Sequence, residues 1–242
     1  MEILNREYSL IVLTFNWRSV HNSGTFYIIV VSAHARYYME MANVHKQHVV
    51  LLGHSFIRRL RDFMDSSDQH YNLRLNETLF DITCRAQGGL TIPRLIHERK
   101  DLYNFTHVCP NIVYLQIGGN DLSDKNTSTV SVANEIFSFA QFLHYGLHIN
   151  IVVIGELLWR DPMRVHSEYN KNVTDTNSAL YNIIQTDGIP NIIFWRHRGF
   201  WKDFSHICHD GVHLNDVGMK KYFRSIRSAV LHASNILGNI YL

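Results

Sequence analysis

The chain has 242 residues, 46% of them hydrophobic and 18% charged, with a formal net charge of +2. That length and apolar content suffice for one large buried core, and the near-neutral balance supplies no strong field to draw the protein to nucleic acid or an anionic membrane. Three cysteines, Cys84, Cys109 and Cys208, are too few and too irregular for a disulfide-stapled secreted domain, so a reducing, intracellular compartment is expected, while four N-x-S/T sequons at Asn76, Asn104, Asn126 and Asn172 leave export open.

Two apolar runs, Leu10 to Phe15 and Phe26 to Ala33, flank a largely polar stretch from Asn16 to Gly24. Neither reaches the roughly 18 apolar residues of a membrane span. Glu2 and Glu7 spoil a basic leader start, and the second run, although it ends in the small-x-small Ala33-His34-Ala35, is short for a signal core. Residues 1–45 are therefore read as an N-terminal extension, either an added hairpin or a loosely attached segment, without chemistry. Residues 46–242 form the principal domain.

From residue 46 onward, short apolar runs closed by Gly or a polar turn predict buried parallel strands: His48 to Leu52, Ile112 to Ile117, Ile151 to Ile154 and Ile192 to Trp195, with a further strand ahead of Gly88. Helical spacing predicts helices over Ser55 to Met64, Ile92 to Tyr103, Val130 to Tyr145, Asn172 to Gln185 and Val217 to Ile236. Strands alternating with helices imply βαβ crossovers and a parallel sheet covered on both faces. Ligands bind beyond the carboxyl ends of such strands, so the loops there carry the interest.

Four of these loops hold unusual groups. Ser55 follows the first strand and opens a helix, whose first-turn N–H groups favour a developing negative charge; a serine there serves equally as an N-cap. Asp210 precedes His213 by three residues with Gly211 between, a spacing that lets one tight loop aim the carboxylate at Nδ1 and leave Nε2 free for a serine hydroxyl. Gly89 can offer an unobstructed backbone N–H, and Asn120 an uncharged N–H2, to an oxyanion. Taken singly, each motif also reads as an ordinary turn.

Taken together, Gly53-His54-Ser55, Gly88-Gly89-Leu90-Thr91, Gly118-Gly119-Asn120-Asp121 and Asp210-Gly211-Val212-His213-Leu214-Asn215 resemble, in kind and order, the motif blocks of the SGNH hydrolases, or GDSL-type esterases, over roughly residues 46 to 236. The resemblance implies an α/β fold, a three-layer α/β/α sandwich with a flavodoxin-like parallel sheet. It also implies hydrolysis of a small ester through an acyl-enzyme, with no metal and no organic cofactor. Ser55 would be the nucleophile, His213 the base and Asp210 its orienter, with Ser55, Gly89 and Asn120 forming the oxyanion hole. His54 departs from the aspartate usual at that place and could compete with His213 for the hydroxyl. The stretch Phe194 to Gly199, with Asp210 to Asn215, also resembles esterase-like reading frames of invertebrate genomes, some associated with retroelements.

Three other readings compete. His206, Cys208, His209, Asp210 and His213 are zinc-binding types, but no second ligand cluster accompanies them and Gly211 discourages the helix that would align them. Arg58, Arg59 and Arg61, with Arg196, His197 and Arg198 among aromatic residues, would suit a catalytically weak binding module that holds nucleic acid, although no obligatory nucleic-acid partner is expected. Lys220 to Val230 has amphipathic spacing, for which packing on the sheet competes with a membrane surface. The oligomeric state is left open.

Overall fold

The computed structural model describes residues 11–18, 23–30, 46–201 and 203–240. Glu2, Glu7 and Ala33-His34-Ala35, weighed above as leader features, lie outside the described residues. The chain divides after His45 into two compact units. In the first, β1 (Ile11–Arg18) and β2 (Ser23–Val30) pair antiparallel, with Ile11 opposite Val30 and Arg18 opposite Ser23. The two β-rich runs thus pair as antiparallel strands that extend into the polar stretch between them.

The second unit is built on five parallel strands: β3 (Gln47–Gly53), β4 (Phe80–Ala86), β5 (Ile112–Gln116), β6 (Ile151–Gly155) and β7 (Ile192–Trp195). Their spatial order is β4-β3-β5-β6-β7, the flavodoxin-like order with a switch point beside the first strand. Four longer helices complete it: α1 (Ser55–Asp65), α2 (Thr129–Gln141), α3 (Tyr169–Asp187) and α4 (Asp216–Ile240). Because side chains alternate along a strand, Val50 and Leu52 of β3 pack with α2 and α3, whereas Val49 and Leu51 pack with α1 and α4. The result is the three-layer α/β/α sandwich.

Each helix buries one stripe. In α1 the buried apolar set is Phe56, Ile57, Leu60 and Met64, and Arg58, Arg61 and Asp62 face water. In α4 Met219, Tyr222, Phe223, Ile226, Ala229, Val230, Ala233 and Leu237 recur at helical spacing and are all buried. The amphipathic C-terminal stretch is therefore a core helix, and no helix among the described residues is long and apolar enough to cross a membrane. The helix expected over Ile92 to Tyr103 does not form as one element. It is a π-turn at Arg94–Glu98 and a 3-10 turn at Lys100–Leu102, separated by Arg99 at φ −123 and ψ 48. The apolar spacing there is met by two short turns that bury Leu95 and Leu102.

Gly53 ends β3 where the backbone must pass close to β5. An added Cβ would run into the carbonyl oxygen of Gln116, a main-chain atom that cannot swing away. Gly53→Ala is therefore expected to destabilise this unit by roughly 2 kcal/mol or more, as overpacking of a tight core does. Denaturant titration checks this.

Beneath the strand ends on the α4 side lies a buried polar network that uses each donor once. The Trp195 indole N–H donates to Ser225 Oγ (3.0 Å), and the Ser225 hydroxyl donates to His197 Nδ1 (2.8 Å). His197 Nε2 donates to the Tyr114 oxygen (3.0 Å), and the Tyr114 and Tyr222 hydroxyls both donate to Gln116 Oε1 (3.0 Å each). Gln116 Nε2 then donates to the Glu156 carbonyl (3.2 Å). Burial lowers the His197 pKa to about 3, consistent with the neutral ring this scheme requires.

Next to it, Glu156 Oε2 accepts the His197 backbone N–H at 2.8 Å, yet burial raises the Glu156 pKa to about 7 against the opposing effects of that N–H and of Arg196. A carboxyl raised on folding holds an extra proton in the folded state. Its contribution is complete below the unfolded value near 4.5 and is lost as pH rises to about 7. Glu156→Gln should therefore flatten the pH dependence of thermal unfolding between pH 5 and 7. At pH 8 it should gain stability on the order of 2 kcal/mol, since each tenfold change in proton affinity between the folded and unfolded chain is worth about 1.4 kcal/mol. Melting curves across that range read the effect directly.

Candidate active site

Four segments meet at the carboxyl edge of the sheet, and hydrogen bonds tie the three that follow β3, β4 and β5 together. Gln87 N–H donates to the Gly53 carbonyl (3.1 Å), and His54 N–H to the Gln116 carbonyl (3.2 Å), so the loops after β4 and β5 flank the loop after β3. Asn120 Nδ2 donates to the Leu90 carbonyl at 2.9 Å, joining the loop after β5 to the loop after β4. Gly89 lies in that latter loop at φ +67, its carbonyl accepting from Arg94.

Ser55 is the first residue of α1, but it is not the cap. His54 takes that place, and its Nδ1 accepts the Phe56 N–H at 3.4 Å. The Ser55 hydroxyl is thereby free for a different partner: its Oγ lies 3.0 Å from His213 Nε2. The other ring nitrogen of His213 lies 2.8 Å from Asp210 Oδ2. Ser55 is 8% exposed, and the side chains of His213 and Asp210 are 22% and 37% exposed, a gradient from buried hydroxyl to solvated carboxylate.

The local fold of residues 205–215 explains this aim. Cys208 N–H donates to the His213 carbonyl (2.7 Å) and Asn215 N–H to the His206 carbonyl (3.0 Å), closing a tight loop. Asn215 Oδ1 caps α4 through Gly218 N–H, while its Nδ2 holds the Ser205 and Ile207 carbonyls. At the tip Gly211 adopts φ +74, and a Cβ there would strike the side chain of Arg164. Asp210 Oδ1 accepts the N–H groups of Val212 and His213, both at 2.9 Å. Partial burial pushes the Asp210 pKa up, but these two N–H groups and the imidazole outweigh it and hold the carboxyl well below the usual range. An ionised carboxylate fixed in this way sets the tautomer of His213, with the proton on Nδ1 and an acceptor at Nε2.

His54 is 2% exposed, and burial, followed by the charges of Arg160 and His213, lowers its pKa to about 3. The ring is neutral near pH 7, and because Nδ1 accepts from Phe56, the proton sits on Nε2. The Ser55 hydroxyl is partnered by His213 rather than by this neighbour.

Two residues at the site, Arg160 and Tyr169, belong to none of the sequence motifs. Arg160, five positions beyond the end of β6, is 6% exposed and donates from Nη2 to Asn120 Oδ1 (3.0 Å) and from Nη1 to Ser123 Oγ (2.9 Å). Its guanidinium lies over the Tyr169 ring at 4.6 Å, and the Tyr169 hydroxyl donates to the Gly119 carbonyl at 2.9 Å. A lone arginine in a loop gives no spacing by which to find it. Asp121, beside Asn120, accepts the Ile92 N–H at 2.9 Å, and burial raises its pKa to about 6.

The other sequence-derived candidates part company. His206 is buried against Phe200, His209 is exposed and His213 faces Ser55; among the described residues no group of three or more His, Cys, Asp or Glu could hold a metal ion. Arg58 lies against Gly88, Arg59 stands 3.8 Å from Asp210 and Arg61 pairs with Asp62. His197 belongs to the buried network, and Arg196 covers the Tyr181 ring.

No protein-family model and no curated protein matches the chain. Solved structures do. A GDSL-like lipase from Bacteroides thetaiotaomicron is 18% identical, with a TM-score of 0.55 over 83% of this chain and 98% of that one. A lipase/acylhydrolase from Enterococcus faecalis is 18% identical, with a TM-score of 0.54 over 76% and 95%. A carbohydrate esterase family 3 protein from Talaromyces cellulolyticus is 13% identical, with a TM-score of 0.57 over 77% and 97%. The fold is the one these esterase and lipase structures share.

Proposed function

We propose that the chain is a serine-dependent hydrolase of small acyl or acetyl esters that works through an acyl-enzyme. The observation that carries this reading is the Ser55 Oγ to His213 Nε2 distance of 3.0 Å with Asp210 at the opposite ring nitrogen. A serine hydroxyl is a weak nucleophile until a base accepts its proton, and 3.0 Å lies within the reach such a transfer requires.

In the first half-reaction the Ser55 oxygen bonds to the carbonyl carbon while His213 takes the hydroxyl proton. The carbonyl oxygen becomes an oxyanion, met by the Ser55 N–H at the start of α1, by the Gly89 N–H and by the second N–H of Asn120 Nδ2, whose first is committed to Leu90. The C–O bond to the alcohol then breaks, and the imidazolium returns its proton to that alcohol. In the second half-reaction water gives a proton to His213 and attacks the acyl carbon; the acyl C–O bond to Ser55 then breaks, the imidazolium returns its proton to the Ser55 oxygen, and the acid leaves. Asp210 stays ionised throughout and stabilises the imidazolium. The edge-on approach of the Phe56 ring, 6.3 Å between centroids, helps keep the imidazole in this plane. The shared fold with esterases and lipases is in keeping with this chemistry.

The test is direct. The purified chain should hydrolyse p-nitrophenyl acetate and accept one fluorophosphonate per molecule, and chelators should leave both unchanged. A parent protein that neither turns over nor labels would end the proposal.

A further inference from the structure

Arg160 is a buried cation, and among the described residues no carboxylate stands within ion-pair distance of it. Burying an unpaired charge costs free energy unless its hydrogen bonds are satisfied. Here the guanidinium spends two of them on one loop: Nη2 on Asn120 Oδ1 and Nη1 on Ser123 Oγ, with its flat face on Tyr169. A planar fork of this kind fixes both position and direction, which a point charge does not.

The consequence falls on the Asn120 amide. An asparagine side chain can flip by half a turn and exchange its oxygen for its nitrogen. With Arg160 donating to Oδ1 and the Leu90 carbonyl accepting from Nδ2, the flipped state faces donor against donor and acceptor against acceptor. Only one orientation keeps both bonds, and in it Nδ2 retains a second N–H that neither partner uses. An amide locked before substrate arrives needs no reorganisation as the oxyanion forms.

We infer that Arg160 is a positioning residue for the proposed ester hydrolysis, acting through Asn120 by locking its amide with the free N–H toward the developing oxyanion. This rests on the esterase reading above. The residue does not touch the reacting atoms, so its effect must vanish when Asn120 is absent.

The experiment is a double-mutant cycle on the full chain with p-nitrophenyl acetate, using Arg160→Met, Asn120→Ala and the pair. Asn120→Ala should lower kcat about a hundredfold or more, as loss of one oxyanion donor does. Arg160→Met should lower kcat by at least about tenfold with KM within about threefold, because the amide matters in the transition state rather than in substrate binding. In the Asn120→Ala background Arg160→Met should change kcat by less than about threefold. Melting curves accompany each variant. Should Arg160→Met fail to fold, Arg160→Lys takes its place in the cycle: its single ammonium cannot occupy both Nη positions, so the same non-additive loss is expected. Losses that multiply in the double variant, or an Arg160 variant with kcat within about threefold of the parent, overturn the inference while the esterase reading stands. A parent chain without turnover or labelling overturns both.

Discussion

Ser55→Ala is expected to reduce kcat for p-nitrophenyl acetate by on the order of 10^4- to 10^6-fold, the scale seen when a covalent serine nucleophile is removed. Fluorophosphonate labelling should disappear altogether. The fold should survive, because the side-chain hydrogen bond of Ser55 runs to His213 and the cap of α1 is supplied by His54. The comparison is therefore between two folded proteins that differ by one oxygen atom. Turnover that persisted in Ser55→Ala would mean that the hydrolysis comes from another group. Cys84 is a poor candidate, since burial pushes its thiol up to about 12 and leaves it protonated at neutral pH.

His213→Ala is expected to bring a loss of the same order, on the scale of 10^4-fold or more. Without an acceptor at 3.0 Å the hydroxyl keeps its proton, and the developing negative charge has no compensating imidazolium. The loop itself should hold, because its closing bonds use the His213 main-chain carbonyl and the Asn215 main-chain N–H, and the Asn215 side chain holds the Ser205 and Ile207 carbonyls, all of which the substitution leaves in place. The two losses must not multiply. Once Ser55 is alanine there is no proton for His213 to take, so the double variant should turn over no more slowly than the worse of the singles by more than a few-fold. Burst kinetics with an activated ester in the parent, and their absence in both variants, separate lost acylation from lost deacylation.

Much of the fold was legible along the chain. The central strands, buried on both faces, and the edge strand β7 are written as continuous apolar runs, so β3, β5, β6 and β7 could be bounded almost to the residue. β4 is an edge strand with the sequence Phe80-Asp81-Ile82-Thr83-Cys84-Arg85-Ala86, and only Phe80 within it is buried. Its polar residues broke the run, and just its position ahead of Gly88 could be expected. The stretch from Ile92 to Tyr103 misled for the opposite reason: apolar spacing at Leu95 and Leu102 satisfies two separate turns as well as one helix.

By itself the sequence determined the alternation of strands and helices and the identity of the four loops that carry Ser55, Gly89, Asn120 and the Asp210–His213 pair, because these depend on local periodicity and local spacing. Tertiary structure alone decided what spans the chain. It set the meeting of Ser55 with a histidine 158 residues away and the use of His54 rather than Ser55 as helix cap. It also carried Arg160 across 40 residues to hold Asn120, and committed His197 to the core. Such bonds are specified by where the sheet delivers its strand ends, and no pattern in neighbouring residues records a distance through space.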